Sequence, residues 1–432
     1  HSRRGKSMGI TISFSMKPQH SWLPQNTWNL ERMQRFSREL AGQMGYHCDV
    51  VGDYVIYQFC PEGFLWMAWK KGEIVGECQT NIAGPGFHAA VIHFLDLYAS
   101  RGKLGLLVKD DTGYDRDRNF VRMRREYFYT WFGDLMKQIF EQKDRADRQL
   151  VCWPANYYLP EEHKGMVMTH IRQFSMEEIR NIVHSGVSMG FAKDFFIWNE
   201  EEKDAYYYRN CALVLMNQEC YFMPSGRSEQ DEVINRKILD LLERALALKA
   251  DIQFPKNEYL ELCALDGREP KALDHTPELP KNAQVGCRKE LLFRTIGSLR
   301  FAVPGSYLYD GTRQGNSERY YDGWAENSHD YYICAMNLEH EARFENRPFE
   351  KEEVERVIDY ERDSLRGRIA VYHPRQRDGK LRYEVSAQIL YKNQMTIVTV
   401  RYQNPEEEPW AIDLIRKIEV IEEEKKPNLK CG

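Results

Sequence analysis

The sequence predicts an α+β fold of several modules, in which antiparallel sheets carry packed helices. The chain has 432 residues, of which 42% are hydrophobic and 29% are charged, and this balance is typical of globular proteins. Strand-like runs stand in pairs, and an amphipathic helix follows each pair, which favours antiparallel sheets over a doubly wound parallel sheet. At about 150 residues per domain, the length predicts two to three domains, each with its own core.

A unit of two strand-like runs, a turn rich in Gly or Pro and an amphipathic helix occurs three times. The copies span 54–100, 204–249 and 382–421. The three copies either descend from one repeated module or represent a common unit that recurs by chance, and the sequence leaves both explanations open. The runs predicted as strands in the second copy are 204–208, 212–216 and 220–223.

A Pro-rich, charged and weakly periodic stretch at 266–289 is the most distinct boundary, and we interpret it as a linker. A second, softer boundary lies at 141–160, where a helix predicted at 126–142 ends in charged residues. The chain begins with His and has no apolar leader, so we interpret its first residues as the remnant of a tag. The predicted organisation is a tag remnant at 1–8, an N-terminal module at 9–150, a middle module at 151–265 that is either separate from the first or continuous with it, a linker at 266–289, a C-terminal module at 290–421 and a frayed tail at 422–432.

The C-terminal module has the clearest order of elements. A strand pair is predicted at 291–307, a further strand at 330–336 and a helix at 349–366, and a long hairpin and a last helix follow. The opening strand pair ends in Val-Pro-Gly-Ser-Tyr at 303–307. In this order of elements, 290–421 resembles the Mog1/PsbP-like α/β sandwich. The resemblance implies a role in binding other proteins and brings no catalytic residues with it.

Charge and hydropathy exclude several classes of partner. The net charge is −5 and the basic residues do not cluster, so we expect no nucleic-acid partner. No apolar run reaches the roughly 18–20 residues of a transmembrane helix, so we expect no membrane partner. The 10 cysteines are scattered, and several lie in apolar surroundings, which favours free thiols in a reducing cytoplasm. The 25 tyrosines indicate either half-buried strand faces or a recognition surface.

The turn Gly84-Pro85-Gly86 is a candidate site because a helix predicted at 87–100 begins directly after it. Free N–H groups at a helix N-terminus attract anions, and His88 in the first turn would stand beside a phosphorylated ligand. The competing interpretation, which we favour, is a tight strand-to-helix connection. It predicts that Gly86→Val destabilises the fold and that His88→Ala has no measurable effect. The candidate ligand-binding residues are Gly84, Gly86, His88, Asp110 and Asp111.

Asp110 and Asp111 follow a predicted strand, and paired carboxylates at such a position can bind a divalent cation. The loop departs from the EF-hand pattern, because Gly113 occupies the second ligand position and Arg122 occupies the position of the closing Glu. A solvated turn capped by the two aspartates is favoured. The sequence contains neither Cys-x-x-Cys nor His-Glu-x-x-His, so we predict no metal and no cofactor.

The stretch Gly186-Val-Ser188-Met-Gly190 matches the nucleophile-elbow pattern of hydrolases. That pattern requires a strand before the serine. Here a helix with a capping box at Ser175 and Glu178 is predicted instead, and Gly186 would end it. We therefore expect no serine hydrolase.

Aromatic residues in the Gly-, Asn- and Ser-rich stretch 310–329 are candidates for a partner contact. Tyr320, Tyr321 and Trp324 are the candidate partner-binding residues, because loops that carry aromatic residues are common recognition surfaces. A lid over the core of the same module explains these residues equally well.

The sequence as a whole favours a non-catalytic cytoplasmic protein from a bacterium that binds another protein, such as an immunity-type or accessory factor. The alternative is an enzyme or sensor that binds a phosphorylated small ligand at 84–88. A deep pocket on which Gly86, His88 and Asp111 converge would favour the ligand site. A flat patch around Trp324 would favour the protein partner.

Overall fold

The computed structural model describes residues 9–19, 28–142, 150–154, 157–310, 316–324, 328–349, 353–377 and 379–421. It contains antiparallel sheets with helices packed on them, so the predicted α+β class is confirmed. A large cluster of buried side chains continues from Ile10 to Val285, and a second cluster extends from Trp153 to Ile418. The exact module boundaries stay predictions.

The N-terminal part forms a six-stranded antiparallel sheet with two helices on one of its faces. The strands are β1 (Thr11–Pro18), β2 (His47–Val51), β3 (Tyr54–Cys60), β4 (Gly63–Lys70), β5 (Glu73–Gln79) and β6 (Leu104–Asp110), and the helices are α1 (Leu30–Met44) and α2 (Pro85–Gly102). The order across the sheet is β2-β3-β4-β5-β1-β6. Since side chains alternate along a strand, Val55, Tyr57 and Phe59 are buried under the helices and the residues between them face the other way.

The two helices on this sheet differ in their surroundings. α1 is amphipathic. The side chain of Asn29 accepts a hydrogen bond from the Arg32 N–H (2.8 Å), and Gly45 ends the helix in the left-handed conformation. α2 is apolar on most sides, and most of its residues are buried. It lies between the sheet and the helices that follow in the chain, so it is the centre of this part of the fold.

A layer of helices and short strands follows β6. The elements are α3 (Tyr114–Asp117), α4 (Phe120–Met123), a π-helix (Arg124–Tyr129), α5 (Thr130–Glu141), β7 (Leu159–Pro160), β8 (Met166–Met168), β9 (Gln173–Ser175), α6 (Met176–Ser185), α7 (Met189–Phe195), α8 (Ala205–Gln218), α9 (Glu229–Leu248) and α10 (Lys256–Asp266). α6 begins with the predicted capping box between Ser175 and Glu178, and Gly186 follows its last residue at φ +79°.

The prediction of strands in the second copy of the repeated unit is wrong. Residues 205–218 form α8, whose first turn is capped by Asp204 through a hydrogen bond from the Tyr207 N–H (2.9 Å), and 220–223 have irregular backbone. α8 is buried on nearly all sides, so its sequence lacks the polar stripe of a surface helix, and its tyrosines suggest a strand. The first copy is confirmed by β3, β4 and α2.

The C-terminal part contains two antiparallel sheets. Its elements are a 3₁₀ turn (Cys287–Lys289), β10 (Leu291–Ile296), β11 (Leu299–Pro304), β12 (Leu308–Asp310), β13 (Ser317–Tyr321), β14 (Asp330–Asn337), a 3₁₀ turn (Phe344–Asn346), β15 (Val354–Arg362), β16 (Leu365–Tyr372), β17 (Arg375–Arg377), β18 (Lys380–Tyr391), β19 (Gln394–Tyr402), a 3₁₀ turn (Pro405–Glu407), α11 (Glu408–Arg416) and β20 (Glu419–Val420). The larger sheet has the order β12-β13-β14-β19-β18-β16-β15, with β17 paired to β18, and the smaller has the order β20-β11-β10-β7. The hairpin β18–β19 followed by α11 confirms the third copy of the unit.

The helix predicted at 349–366 is wrong, because β15 and the start of β16 occupy most of this range. β15 is the last strand of the larger sheet. Ile358 and Tyr360 are half-buried against the core, and the other side chains of the strand are mainly charged and exposed. Charged residues are common on edge strands, where they prevent pairing with other chains. The density of charged residues on β15 resembles that of an exposed helix, which explains the wrong prediction.

The smaller C-terminal sheet includes a strand from the middle of the chain. β7 pairs with β10, and Trp153, shortly before β7, belongs to the C-terminal cluster of buried side chains. The Trp153 indole donates a hydrogen bond to the Tyr158 carbonyl (2.7 Å). The C-terminal core is therefore completed by residues far upstream of it.

We expect Trp153→Ala to lower the free energy of unfolding by about 3–5 kcal/mol, because it removes a buried aromatic ring and leaves a cavity. Urea denaturation followed by circular dichroism measures this. Trp324→Ala is the matched control: its side chain is 46% exposed, so its loss should cost less than about 0.5 kcal/mol. Equal destabilisation by the two changes would contradict the role given to Trp153.

Candidate functional site

The Gly84-Pro85-Gly86 turn is packed directly against Trp198. The Gly86 N–H donates to the Trp198 carbonyl (2.9 Å), and the Trp198 N–H donates to the Ala83 carbonyl (2.8 Å). A Cβ atom on Gly86 would lie 2.0 Å from Trp198 Cδ1, so glycine is required by the close approach. Gly84 has φ +111°, a conformation that other residues rarely adopt. Both glycines therefore serve close packing at the start of α2.

His88 is completely buried, and both of its ring nitrogens face oxygen atoms. Nδ1 lies 2.9 Å from Thr80 Oγ1, and Nε2 lies 3.1 Å from Asp110 Oδ1. The Thr80 hydroxyl donates to the Ile10 carbonyl (3.1 Å), so its oxygen can accept a hydrogen bond from Nδ1–H while Nε2–H donates to the carboxylate. His88 and Asp110 thus form a buried pair that Thr80 extends toward the start of β1.

Asp110 receives hydrogen bonds at both carboxylate oxygens. Oδ1 accepts from the Thr112 N–H (2.7 Å), and Oδ2 accepts from the Asp115 N–H (3.0 Å). Burial would raise the pKa of Asp110, but the hydrogen bond and charge of His88, together with these two N–H donors, outweigh burial and hold the pKa well below its usual range. The prediction of a solvated turn is therefore wrong at Asp110, whose side chain is buried.

Asp111 faces the start of β1. Its Oδ2 atom accepts hydrogen bonds from the Thr11 N–H (2.9 Å) and the Thr11 hydroxyl (2.6 Å). The structure thus brings His88 and Asp110 together, but it gives Gly86 and Asp111 other partners. Binding of a phosphorylated ligand by the five candidate residues stays a prediction, and these internal contacts argue against it.

The three candidate partner-binding residues differ in exposure. Tyr320 is 4% exposed, and its ring packs against Phe301 and Tyr331 in the C-terminal core. Tyr321 is half-buried, and Trp324 is 46% exposed. Of the three, Trp324 therefore presents the most of its ring to solvent, and Tyr320 serves the core.

Ser188 occupies an extended position between α6 and α7. A helix precedes it, as predicted, so the backbone of a nucleophile elbow is not formed there. Ser188 lines an open surface groove of about 470 Å³. The other residues that line the groove are Arg125, Tyr129, Thr130, Val187 and Met189.

The face of the first sheet opposite α1 and α2 carries large apolar side chains in contact with solvent. Leu107, Val51, Trp66 and Tyr54 are 71%, 60%, 46% and 44% exposed. We term this surface the open face. It consists of the outward residues Ser13, Ser15, Asp49, Val51, Tyr54, Ile56, Phe64, Trp66, Ala68, Val75, Glu77, Leu107 and Lys109.

The register of the strands arranges most of the open face in two rows. The solvent side of an antiparallel sheet is normally polar, whereas eight of the 13 residues of the open face are apolar. Apart from the buried Ala68, they lie outside the core of the described chain, so the fold alone does not explain them. One row is Val51, Tyr54, Ala68, Val75, Ser15 and Leu107, and the next is Asp49, Ile56, Trp66, Glu77, Ser13 and Lys109.

The open face is not among the features predicted from the sequence, although β4 carries a signal for it. Its stretch Phe-Leu-Trp-Met-Ala-Trp at 64–69 is apolar at odd and even positions alike. A strand with one solvent face alternates between apolar and polar residues. An apolar run within an antiparallel hairpin therefore indicates a strand that carries apolar side chains on its outer face as well.

No known protein family and no curated protein matches the chain in sequence. Among solved structures, it is similar to the solution structure of cyanobacterial PsbP (CyanoP) from Synechocystis sp. PCC 6803, with 6% identity and a TM-score of 0.26, over 31% of this chain and 93% of that chain. It is also similar to a crystal structure from Bacteroides thetaiotaomicron VPI-5482, with 13% identity and a TM-score of 0.23, over 31% of this chain and 49% of that chain. A faint PsbP-like resemblance is therefore present over 31% of the chain.

Two further kinds of site are absent from the described part of the chain. None of its helices combines the length and hydrophobicity needed to cross a bilayer. Nor does it contain a group of three or more His, Cys, Asp or Glu side chains placed to hold a metal ion.

We expect His88→Ala to lower the free energy of unfolding by about 3–5 kcal/mol, because it leaves the buried carboxylate of Asp110 without its charged partner. The sequence alone predicts no measurable effect of His88→Ala, and the buried contact with Asp110 replaces that expectation. His93→Ala on the same helix is the control, since His93 is exposed. Urea denaturation at neutral pH distinguishes the two, and a His88 variant as stable as the His93 variant would rule out the ion pair.

The stability that Asp110 contributes should depend on pH. Because its pKa is depressed in the folded chain, its contribution is complete above the unfolded-state pKa of about 4 and is lost as the pH falls further. The difference in unfolding free energy between the wild type and Asp110→Asn should therefore shrink as the pH is lowered below about 4. A difference that stays constant down to about pH 2.5 would show that the carboxylate is not stabilised by folding.

Proposed function

We propose that this chain is a non-catalytic binding protein that acts through protein–protein contacts made by its open face. The observation that supports this most is the exposure of Leu107, Val51, Trp66 and Tyr54 on one side of one sheet. Contiguous apolar surface that the fold does not need is typical of interaction sites. Tyrosine and tryptophan are also the residues that most often dominate the binding energy of protein interfaces.

The shape of the open face favours a protein over a small molecule as its ligand. Six hydrogen-bonded strands form a broad, gently twisted surface that is fixed before binding. Small ligands are bound mainly in concave sites that enclose most of their surface. A broad surface with aromatic anchors instead fits the surface of another folded protein.

We further propose that the protein works in the cytoplasm. The cysteines in the described part of the chain are free thiols, and most of them are buried. Such thiols are typical of reducing compartments. An immunity-type or accessory factor of a bacterial cell would combine these thiols with a surface built for binding a protein.

The double variant Trp66→Thr and Leu107→Thr tests the proposed contact surface. Threonine keeps the strand preference and removes the apolar contact, so we expect capture of the partner from host extract to fall roughly tenfold or more while the melting temperature changes little. Leu381→Thr is the matched control, because Leu381 lies on β18 and is 54% exposed. Quantitative mass spectrometry of the captured proteins measures the effect, and undiminished capture by the double variant would refute the proposal.

A further inference from the structure

The two edges of the open face carry opposite charges. Asp49 on β2 and Lys109 on β6 stand at the two ends of one row, and four other strands lie between them. The Asp49 side chain is 59% exposed and lies 3.0 Å from His47 Nε2 on the same strand, and Lys109 is also exposed. The row therefore has an acidic end and a basic end, with the exposed ring of Trp66 between them.

A two-fold axis makes this arrangement complementary to itself. When two copies of the sheet are stacked face to face about an axis parallel to the strands, β2 of each copy lies over β6 of the other. Asp49 of each copy then faces Lys109 of the other copy. In the neighbouring row, Val51 of each copy faces Leu107 of the other. The same operation thus pairs the two edge charges with each other and Val51 with Leu107.

The middle of the rows also fits this stacking. In the row that begins with Val51, Tyr54 faces Ser15 and Ala68 faces Val75, so larger side chains meet smaller ones. In the other row, Ile56 faces Ser13 in the same way, and the ring of Trp66 faces Glu77. Alternation of large and small side chains lets two sheets interdigitate at the usual separation of about 10 Å.

We propose that the open face binds a second copy of this chain, in a two-fold symmetric dimer with the sheets stacked face to face and Asp49–Lys109 ion pairs at both edges. This inference rests on the proposed function, because it names the occupant of the same surface.

The size of the open face sets the expected strength of the dimer. Five strand spacings of about 4.8 Å give a width of about 24 Å, and three outward residues along a strand add a length of roughly 14–20 Å. The projected area of roughly 350–500 Å² per copy is below the roughly 800 Å² per partner of a standard stable interface. We therefore expect the dimer to dissociate reversibly in the micromolar range.

Charge reversal tests the symmetric pairing directly. Asp49→Lys places lysines opposite each other at both edges, and Lys109→Asp places aspartates opposite each other there. Each single variant should therefore dimerise about tenfold more weakly than the wild type at low salt. An equimolar mixture of the two variants should form a heterodimer as strong as the wild-type dimer, because both ion pairs are restored. Lys281→Asp, which reverses an exposed charge elsewhere, is the control and should dimerise like the wild type.

Sedimentation equilibrium across the micromolar range measures each association. Dimers that weaken in both single variants and recover in the mixture would establish the inference. A wild type that stays monomeric, or a mixture no stronger than the single variants, would overturn it. A further outcome is a monomeric wild type that captures a different protein from host extract. If the Trp66→Thr and Leu107→Thr double variant then fails to capture that protein, the proposed function stands and the inference fails.

Discussion

The buried ion pair between His88 and Asp110 is the contact on which the N-terminal half of the structure depends. It joins α2 to the turn after β6, and Thr80 extends it to the Ile10 carbonyl at the start of β1. A buried charge pair is tolerated only when its remaining polar atoms have partners, and backbone N–H groups meet that condition at Asp110. The polar contacts of His88 therefore fix the position of α2 on the sheet, and the buried apolar side chains of α2 pack around them.

The position of α2 decides which surfaces of this half are available. One side of the helix covers the sheet, and the segment around Trp198 covers its N-terminal turn. Internal contacts thus cover most of the surface of α2. They also occupy Gly84 and Gly86, the glycines of the candidate anion site. The opposite face of the same sheet has no comparable cover over Leu107 or Trp66. The packing that occupies the glycine turn thus leaves the other side of the same sheet exposed.

Tyrosine and arginine side chains join the middle of the chain to the C-terminal sheets. The Arg288 guanidinium is buried, lies over the rings of Tyr221 (4.3 Å) and Tyr158 (4.7 Å), and donates to the Tyr157 hydroxyl (2.9 Å). These cation–π contacts and hydrogen bonds offset the cost of removing the charge from water. The tyrosines thus occupy two different environments, because Tyr54 lies instead on the exposed open face.

The sequence by itself determined the α+β class, the first and third hairpin-plus-helix units and the ends of α6, because alternation, helical periodicity and capping residues act over a few positions. The same local signals misassigned α8, which is buried all round and has no polar stripe, and β15, whose charged edge resembles an exposed helix. Only the tertiary structure decided that His88 pairs with Asp110 and that Trp66 stays in solvent. Both outcomes depend on contacts between strands and helices distant in the chain, and such contacts leave no periodic pattern around either residue.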